Sequence, residues 1–334
     1  MRRTTRRRLL GVLFTALLCG CGVPDDGEPT NVAGVFINPL DDPWTAALHQ
    51  ALEQNQSEGG YGYAYRAGVG AAGYERAVRE FVARGYRVVF GDCRGAEAAA
   101  LATAREFPEV YFFLGSDAGP AAPNLAVIGP RLEEPAFLCG IVAARMSRTR
   151  EVGVLAGLPS PSVNGLINAF RNGVESVDPA VSVRLRFTGF RHSRDHGPEA
   201  RAVEALADAG ADMVFCERPW GIEACERLRL GAFSCYQDLI QYSPDVVVTG
   251  AVWDPAPLVR GAVAMVKEDR FAPLDLGCWG TMSVGGAYLA PFRGLTRKPG
   301  DEVRSRVEKT RDLILDGRLR VPVDETDPAA RLSE

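Results

Sequence analysis

The chain is poor in the residues that carry out chemistry. Its 334 residues include three histidines, His49, His192 and His196. There is no G-x-S-x-G turn and no glycine-rich phosphate loop ending in Gly-Lys-Ser/Thr. His49 falls on a helical run, about one turn beyond its start. His192 and His196 flank Asp195 in a polar stretch. An H-x-x-x-H spacing brings both rings to one metal only when a helix puts them on one face. Six cysteines follow Cys21, namely Cys93, Cys139, Cys216, Cys225, Cys235 and Cys278, and they lack the paired C-x-x-C spacing of a zinc site. An enzyme, a metal centre and a bound cofactor are therefore not expected. No basic stripe is present, and the formal net charge of −4 falls to −9 once residues 1–20, with five arginines and no acid, are set aside. Nucleic acid is a poor partner for such a chain. Beyond the N-terminus no run approaches the roughly 20 apolar residues of a membrane-spanning helix.

What is there begins at the N-terminus. Arg2, Arg3, Arg6, Arg7 and Arg8 precede a short apolar run from Leu9 to Leu18, and Leu18-Cys19-Gly20-Cys21 follows. A basic segment, a short apolar segment and small residues make a secretory signal. The ending resembles the lipobox of bacterial lipoproteins, in which Cys21 becomes the lipidated first residue of the mature chain. The alternative is an ordinary signal peptide with a chance cysteine. The stretch Thr5-Arg6-Arg7-Arg8-Leu9-Leu10 also looks like a twin-arginine export signal. Residues 22–30, polar with Pro and Gly, read as a flexible tether. The protein is expected outside the cytoplasm, on a membrane lipid anchor. There some cysteines can pair, Cys216 with Cys235 being the best placed because both end successive predicted strands; the alternative is six small buried thiols.

After the tether, strand-like and helical patterns alternate. Strands are expected at 32–37, 62–66, 87–90, 110–114 and 125–128, with helices at 45–52, 74–84, 96–106 and 135–146. The cycle restarts with strands at 152–156, 181–187, 213–216, 232–236 and 246–252, and helices at 163–177, 199–209, 222–228, 257–267 and 301–316. Such alternation predicts an α/β fold with doubly wound parallel sheets. Its length and restart suggest two lobes around a cleft.

Several segments resemble the basic membrane lipoprotein family of solute-binding proteins. Ala104-Arg-Glu-Phe-Pro-Glu-Val-Tyr-Phe-Phe-Leu-Gly-Ser-Asp117 is similar to its A-x-x-x-P-D-V-x-F-x-x-x-D stretch. Residues 133–144 (EEPAFLCGIVAA) resemble its E-x-A-Y-L-A-G-x-A-A helix, and residues 152–157 (VGVLAG) its V-G-F-V-G-G strand. Residues 169–179 resemble its F-x-x-G-x-x-x-x-x-P helix, residues 209–215 (AGADMVF) its G-A-D-V-I-F and residues 244–249 (PDVVVT) its P-x-x-V-L-T. The resemblance implies a type I periplasmic-binding-protein fold, whose lobes close on a ligand, and a nucleoside-like solute. It places lobe 1 at 31–147 and 250–277, and lobe 2 at 148–249 and 278–325, behind a signal peptide (1–20) and an anchored tether (21–30).

In open α/β sheets, ligands bind beyond the carboxyl ends of the strands. Past the first strand stand Asp41, Trp44 and Thr45, where the resemblance implies a ligand-contacting acid, a stacking aromatic and an asparagine. Asp41 or Asp42 equally fits as the cap of a helix that starts near Pro43, and Trp44 also fits as an apolar staple at that helix start. Asp117 closes the first family stretch. Glu217-Arg218-Pro219-Trp220 replaces the family's Gly-rich turn, and Gln237-Asp238 lies near its D-x-D-Q. Trp253 stands where the family usually has a lysine that meets the ribose, followed by Asp254; hinge packing is the other reading of Trp253. All four tryptophans, Trp44, Trp220, Trp253 and Trp279, fall at or beyond strand ends, though Trp279 fits a packing role better. The expected ligand residues are Asp41, Trp44, Thr45, Asp117, Trp220, Asp238, Trp253 and Asp254, with aromatic walls that sandwich a small planar solute. Function is then delivery of that solute to an ABC permease and its ATPase, on separate chains. The alternative is a ligand-sensing lipoprotein of the same fold that signals without transport.

Overall fold

The computed structural model describes residues 30–189 and 195–329. The signal sequence, the lipidation site Cys21, nearly all of the tether and His192 lie outside the described residues. Thr30, the last residue given to the tether, opens the first strand.

Strands β1 (Thr30–Phe36), β2 (Tyr61–Arg66), β3 (Val88–Asp92), β4 (Tyr111–Gly115) and β5 (Leu125–Val127) form one sheet. Its order is β2-β1-β3-β4-β5 and every neighbouring pair is parallel. Helices cover both faces, so central strands such as β3 are buried along their whole length, which is why Val88–Phe90 reads as an apolar run. Helix α1 (Pro43–Gly59) packs on one face, and α2 (Gly70–Ala83) with α3 (Glu97–Glu106) on the other. Asp42 sets the start of α1, its Oδ1 accepting from the Thr45 N–H at 3.0 Å, with Pro43 in the first turn. Gly60, at φ 58°, ends it in the left-handed conformation that glycine adopts without strain.

The second sheet contains β6 (Glu151–Ala156), β7 (Ser182–Phe187), β8 (Met213–Cys216), β9 (Gly231–Tyr236), β10 (Val247–Trp253) and β11 (Ala287–Leu289). Its order is β11-β10-β9-β8-β6-β7, parallel except for the edge strand β11. Helices α4 (Glu133–Met146) and α5 (Pro161–Glu175) cover one face, and α6 (Gly197–Asp208) and α7 (Gly221–Leu228) the other. Helix α8 (Ala256–Lys267) returns to pack on α1, and α9 (Asp301–Leu315) packs on α4. The edge strand β11 was not foreseen; three residues are too few to show a period.

The α/β architecture with two parallel-sheet lobes agrees with the sequence reading, but two crossovers move. Helix α4, placed in lobe 1 by sequence, packs on α5, β8 and β10 of the second sheet. Strand β10, including residues 250–253 given to lobe 1, is hydrogen-bonded between β9 and β11. The chain therefore crosses before α4 and after β10. Helix α4 is held there by close contact with α5: Gly140 of α4 and Gly173 of α5 meet so tightly that a Cβ would lie 2.1 Å from the Phe170 carbonyl oxygen and 2.0 Å from that of Phe137, respectively.

No Cys216–Cys235 bridge forms. All six described cysteines are free thiols, five of them buried. The sulfur facing Cys216 is that of Cys225, on α7, at 3.9 Å.

Candidate ligand cleft

The carboxyl ends of β1, β3 and β4 face those of β6, β8 and β9 across a cavity of about 350 Å³. On the lobe 1 side, Arg94 organises the wall. Its Nη1 donates to Asp92 Oδ1 at 2.9 Å and its Nε to Asp117 Oδ1 at 3.2 Å. Its guanidinium carbon stands 5.3 Å from the ring centroid of Trp44, within cation–π range. Gly115 makes this possible, because a Cβ there would meet Trp44 at 2.6 Å and Arg94 Nη1 at 2.8 Å. Asp42, while capping α1, also lines the cavity.

On the lobe 2 side, Glu217 is 1% and Arg218 7% exposed. Arg218 donates to Glu217 from Nε at 3.0 Å and from Nη2 at 2.6 Å, a forked pair. Glu217 Oε2 also accepts from the Gly157 N–H at 2.9 Å, and its Oε1 from the Tyr236 hydroxyl at 3.4 Å. Burial opposes the charge on Arg218, but Glu217 and then Asp42 outweigh it, and its pKa is raised. The Asp42 effect reaches across the cleft from the other lobe. Burial works against the charge on Arg94 too, and Asp92 and Asp117 more than compensate. Burial, then Glu217, pushes the Tyr236 phenol well above its ordinary range. Tyr236 holds φ 65°, an uncommon backbone state for a residue with a Cβ.

The eight sequence-predicted residues separate. Trp44 and Asp117 line the main cavity. Asp238, Trp253 and Asp254 instead line a second hollow of about 410 Å³, which shares Tyr236 with the first. There Asp238 pairs with Arg293, and Asp254 Oδ1 accepts from the Ala256 N–H at 2.9 Å in the turn into α8. Asp41 is exposed and lines neither hollow. Thr45 is fully buried in α1 and its hydroxyl has no partner among the described residues. Trp220 lies outside both hollows and stacks on His196, centroids 4.7 Å apart. Trp279 packs on Gly261, as its structural reading required. His49 turns away from the cavity and hydrogen-bonds the Tyr63 hydroxyl at 3.0 Å.

The tryptophans therefore do not form one aromatic box. Trp44 is contacted by Trp253, at 5.1 Å between centroids, and by Arg94. What lines the cavity instead is a set of ion-paired arginines and carboxylates. Asp92, Arg94 and Tyr236 were absent from the sequence prediction, and Glu217 and Arg218 were noted only as a departure from the family turn. All five stand at or just past strand ends, the signal that locates ligand residues in such sheets.

Among the described residues, no group of three or more His, Cys, Asp and Glu side chains is placed to hold a metal ion. No helix among them is long and apolar enough to cross a membrane.

The family model of PnrA-like ABC transporter substrate-binding proteins, the Bmp family, matches residues 31–272. The chain belongs to the Bmp family. This Bmp protein is 27% identical over 247 residues to a purine-binding protein of Brucella abortus, covering 73% of this chain and 68% of the relative. It is 24% identical to a putative ABC transporter glucose-binding protein of Haloferax volcanii, covering 90% of this chain and 76% of that one. An ABC transporter solute-binding protein from Conexibacter woesei superposes with a TM-score of 0.68 at 23% identity, covering 88% of this chain and 99% of that one, and shares the periplasmic-binding-protein fold. This Bmp protein is thus a substrate-binding protein of an ABC transporter, a component of the extracytoplasmic side.

Proposed function

We propose that this Bmp protein binds a small, neutral, hydroxyl-rich solute, nucleoside-like or sugar-like, in the main cavity. It delivers the solute to an ABC permease and its ATPase on separate chains, while a lipid on Cys21 holds it to the membrane. One observation carries the reading: ion-paired side chains from both lobes, Asp92–Arg94–Asp117 and Glu217–Arg218, face one cavity. A hydroxyl group both donates and accepts, so a wall of paired carboxylates and guanidiniums suits it without requiring net charge. Trp44 adds an apolar face for a ring. Seven acidic side chains line the cavity against three arginines, which disfavours an anion. The volume falls within the usual range for small-molecule sites.

The names of the relatives, one purine-binding and one glucose-binding, match the ring half and the hydroxyl-rich half of such a solute separately. The planar solute expected from sequence widens to include a sugar, because Trp44 and Trp253 stack on each other rather than sandwiching a ring. Uptake proceeds by closure of two lobes about their crossovers. The test is to unfold freshly purified protein and identify what it releases by mass spectrometry. A nucleoside or sugar supports the proposal; a phosphorylated or carboxylated solute held in stoichiometric amount contradicts it.

A further inference from the structure

The chain does not end at α9. Residues 320–329 turn back along α5, and side chains of that helix hold them by their backbone. Asn164 Nδ2 donates to the Glu325 carbonyl at 3.2 Å. Asn168 Nδ2 donates to the carbonyls of Asp324 at 2.8 Å and Thr326 at 3.0 Å. Arg171 Nη2 donates to the Pro328 carbonyl at 3.0 Å. Residues 164, 168 and 171 share one face of the helix. Asn168 is 0% and Arg171 4% exposed, and polar groups so buried are costly unless bonded. Because they read carbonyls and not side chains, what they fix is the path of the strap.

That path brings the side chain of Glu325 to the wall of the main cavity, at the end formed by the crossover residues. Glu133, at the start of α4, lines the same end and is 6% exposed. The two acids converge over Gly165 of α5. A Cβ there would stand 3.4 Å from Glu133 Oε1 and 3.8 Å from Glu325 Cγ. The arginine at this end, Arg131, is paired with Asp275 at 3.2 Å. Burial raises the Glu133 pKa, and the neighbouring Glu134 and Glu325 act in the same direction.

We propose that the C-terminal strap is a wall of the solute site and that Glu325 is a specificity-determining residue on it. Its carboxylate accepts from the hydroxyl or amino end of the solute and turns away anionic versions of the same molecule. This rests on the reading of the main cavity as the solute site.

The test uses the purified full-length chain, its Glu325→Gln and Asn168→Ala variants, and five probes: adenosine, AMP, glucose, glucosamine and glucose 6-phosphate. Binding is read by calorimetry, and the strap by cleavage with a glutamate-specific protease after Glu325. In the wild type this bond resists cleavage, and in Asn168→Ala it is cut faster. Glu325→Gln weakens the bound neutral or amino probe about three- to tenfold, the loss of one partly exposed charge-assisted bond, and narrows its margin over the phosphorylated partner. Unchanged affinities and an unchanged margin in Glu325→Gln overturn the assignment of Glu325. Rapid cleavage of the wild type overturns the strap. If no probe binds the wild type, the proposed function fails, and with it the role of Glu325, while the cleavage result still decides whether the strap is fixed.

Discussion

Trp44 and Trp253 lie against each other with ring centroids 5.1 Å apart and planes tilted by 34°. One lies in the first turn of α1 in the first lobe and the other ends β10 of the second, so the pair is a contact between lobes. Both indole N–H groups are buried without a partner among the described residues. The stack also separates the main cavity from the hollow beside Asp238 and Asp254, and it must part if the lobes swing open.

Replacing Trp44 removes this contact, the ring beneath Arg94 and one face of the cavity together. Trp44→Ala is expected to weaken solute binding by about 1–3 kcal/mol, the sum of a lost aromatic contact and a lost cation–π contact. Isothermal calorimetry measures the change. Trp279→Phe, a substitution at a ring that packs on Gly261 away from the cavity, should leave affinity unaltered.

Glu217 and Arg218 are buried as a pair, and removing Glu217 takes the forked carboxylate from a buried guanidinium. Glu217→Ala should destabilise the fold by about 3–5 kcal/mol, read as a lower urea midpoint. The double variant Glu217→Ala/Arg218→Met should recover part of that stability yet bind no solute. Recovery of binding in the double variant would show that the pair serves packing alone.

The contact of α4 with α5 depends on two missing side chains. A methyl group at Gly173 would sit 2.0 Å from the Phe137 carbonyl oxygen, and backbone cannot move aside as a side chain does. Gly173→Ala should cost about 1–3 kcal/mol or more of stability through overpacking, visible as a lower melting temperature.

Burial lowers the pKa of His49, with Glu53 acting weakly the other way. The folded chain thus binds a proton less readily than the unfolded chain. The stability this contributes is complete above pH 6.5 and is lost as the pH falls through the depressed folded value. Melting curves between pH 7.5 and pH 5 should show a decline that is smaller in His49→Gln.

Much of the fold was legible because each strand and helix repeats a simple pattern. Strand Met213–Cys216 falls where its apolar run places it, and α1 starts where Asp42 and Pro43 place it. The lobe membership of α4 was not legible, since it depends on two glycines 33 positions apart meeting in space. The site divided similarly. Strand ends told where to look, but not where a side chain turns: Trp220 goes to His196 and Trp253 to the second hollow. Glu217 shows why the rest was hidden, for its partners include the N–H of Gly157, sixty residues earlier, and no local pattern records that bond.

The most direct measurement is the melting temperature of the purified protein with matched neutral and phosphorylated solutes: adenosine with AMP, and glucose with glucose 6-phosphate. A solute present at 100 times its dissociation constant adds about 2.7 kcal/mol of stability. The account predicts that a neutral solute raises the melting temperature, that its phosphorylated partner does not, and that Arg94→Met abolishes the shift. A larger shift with the phosphorylated partner, or no response to any neutral solute, would contradict it.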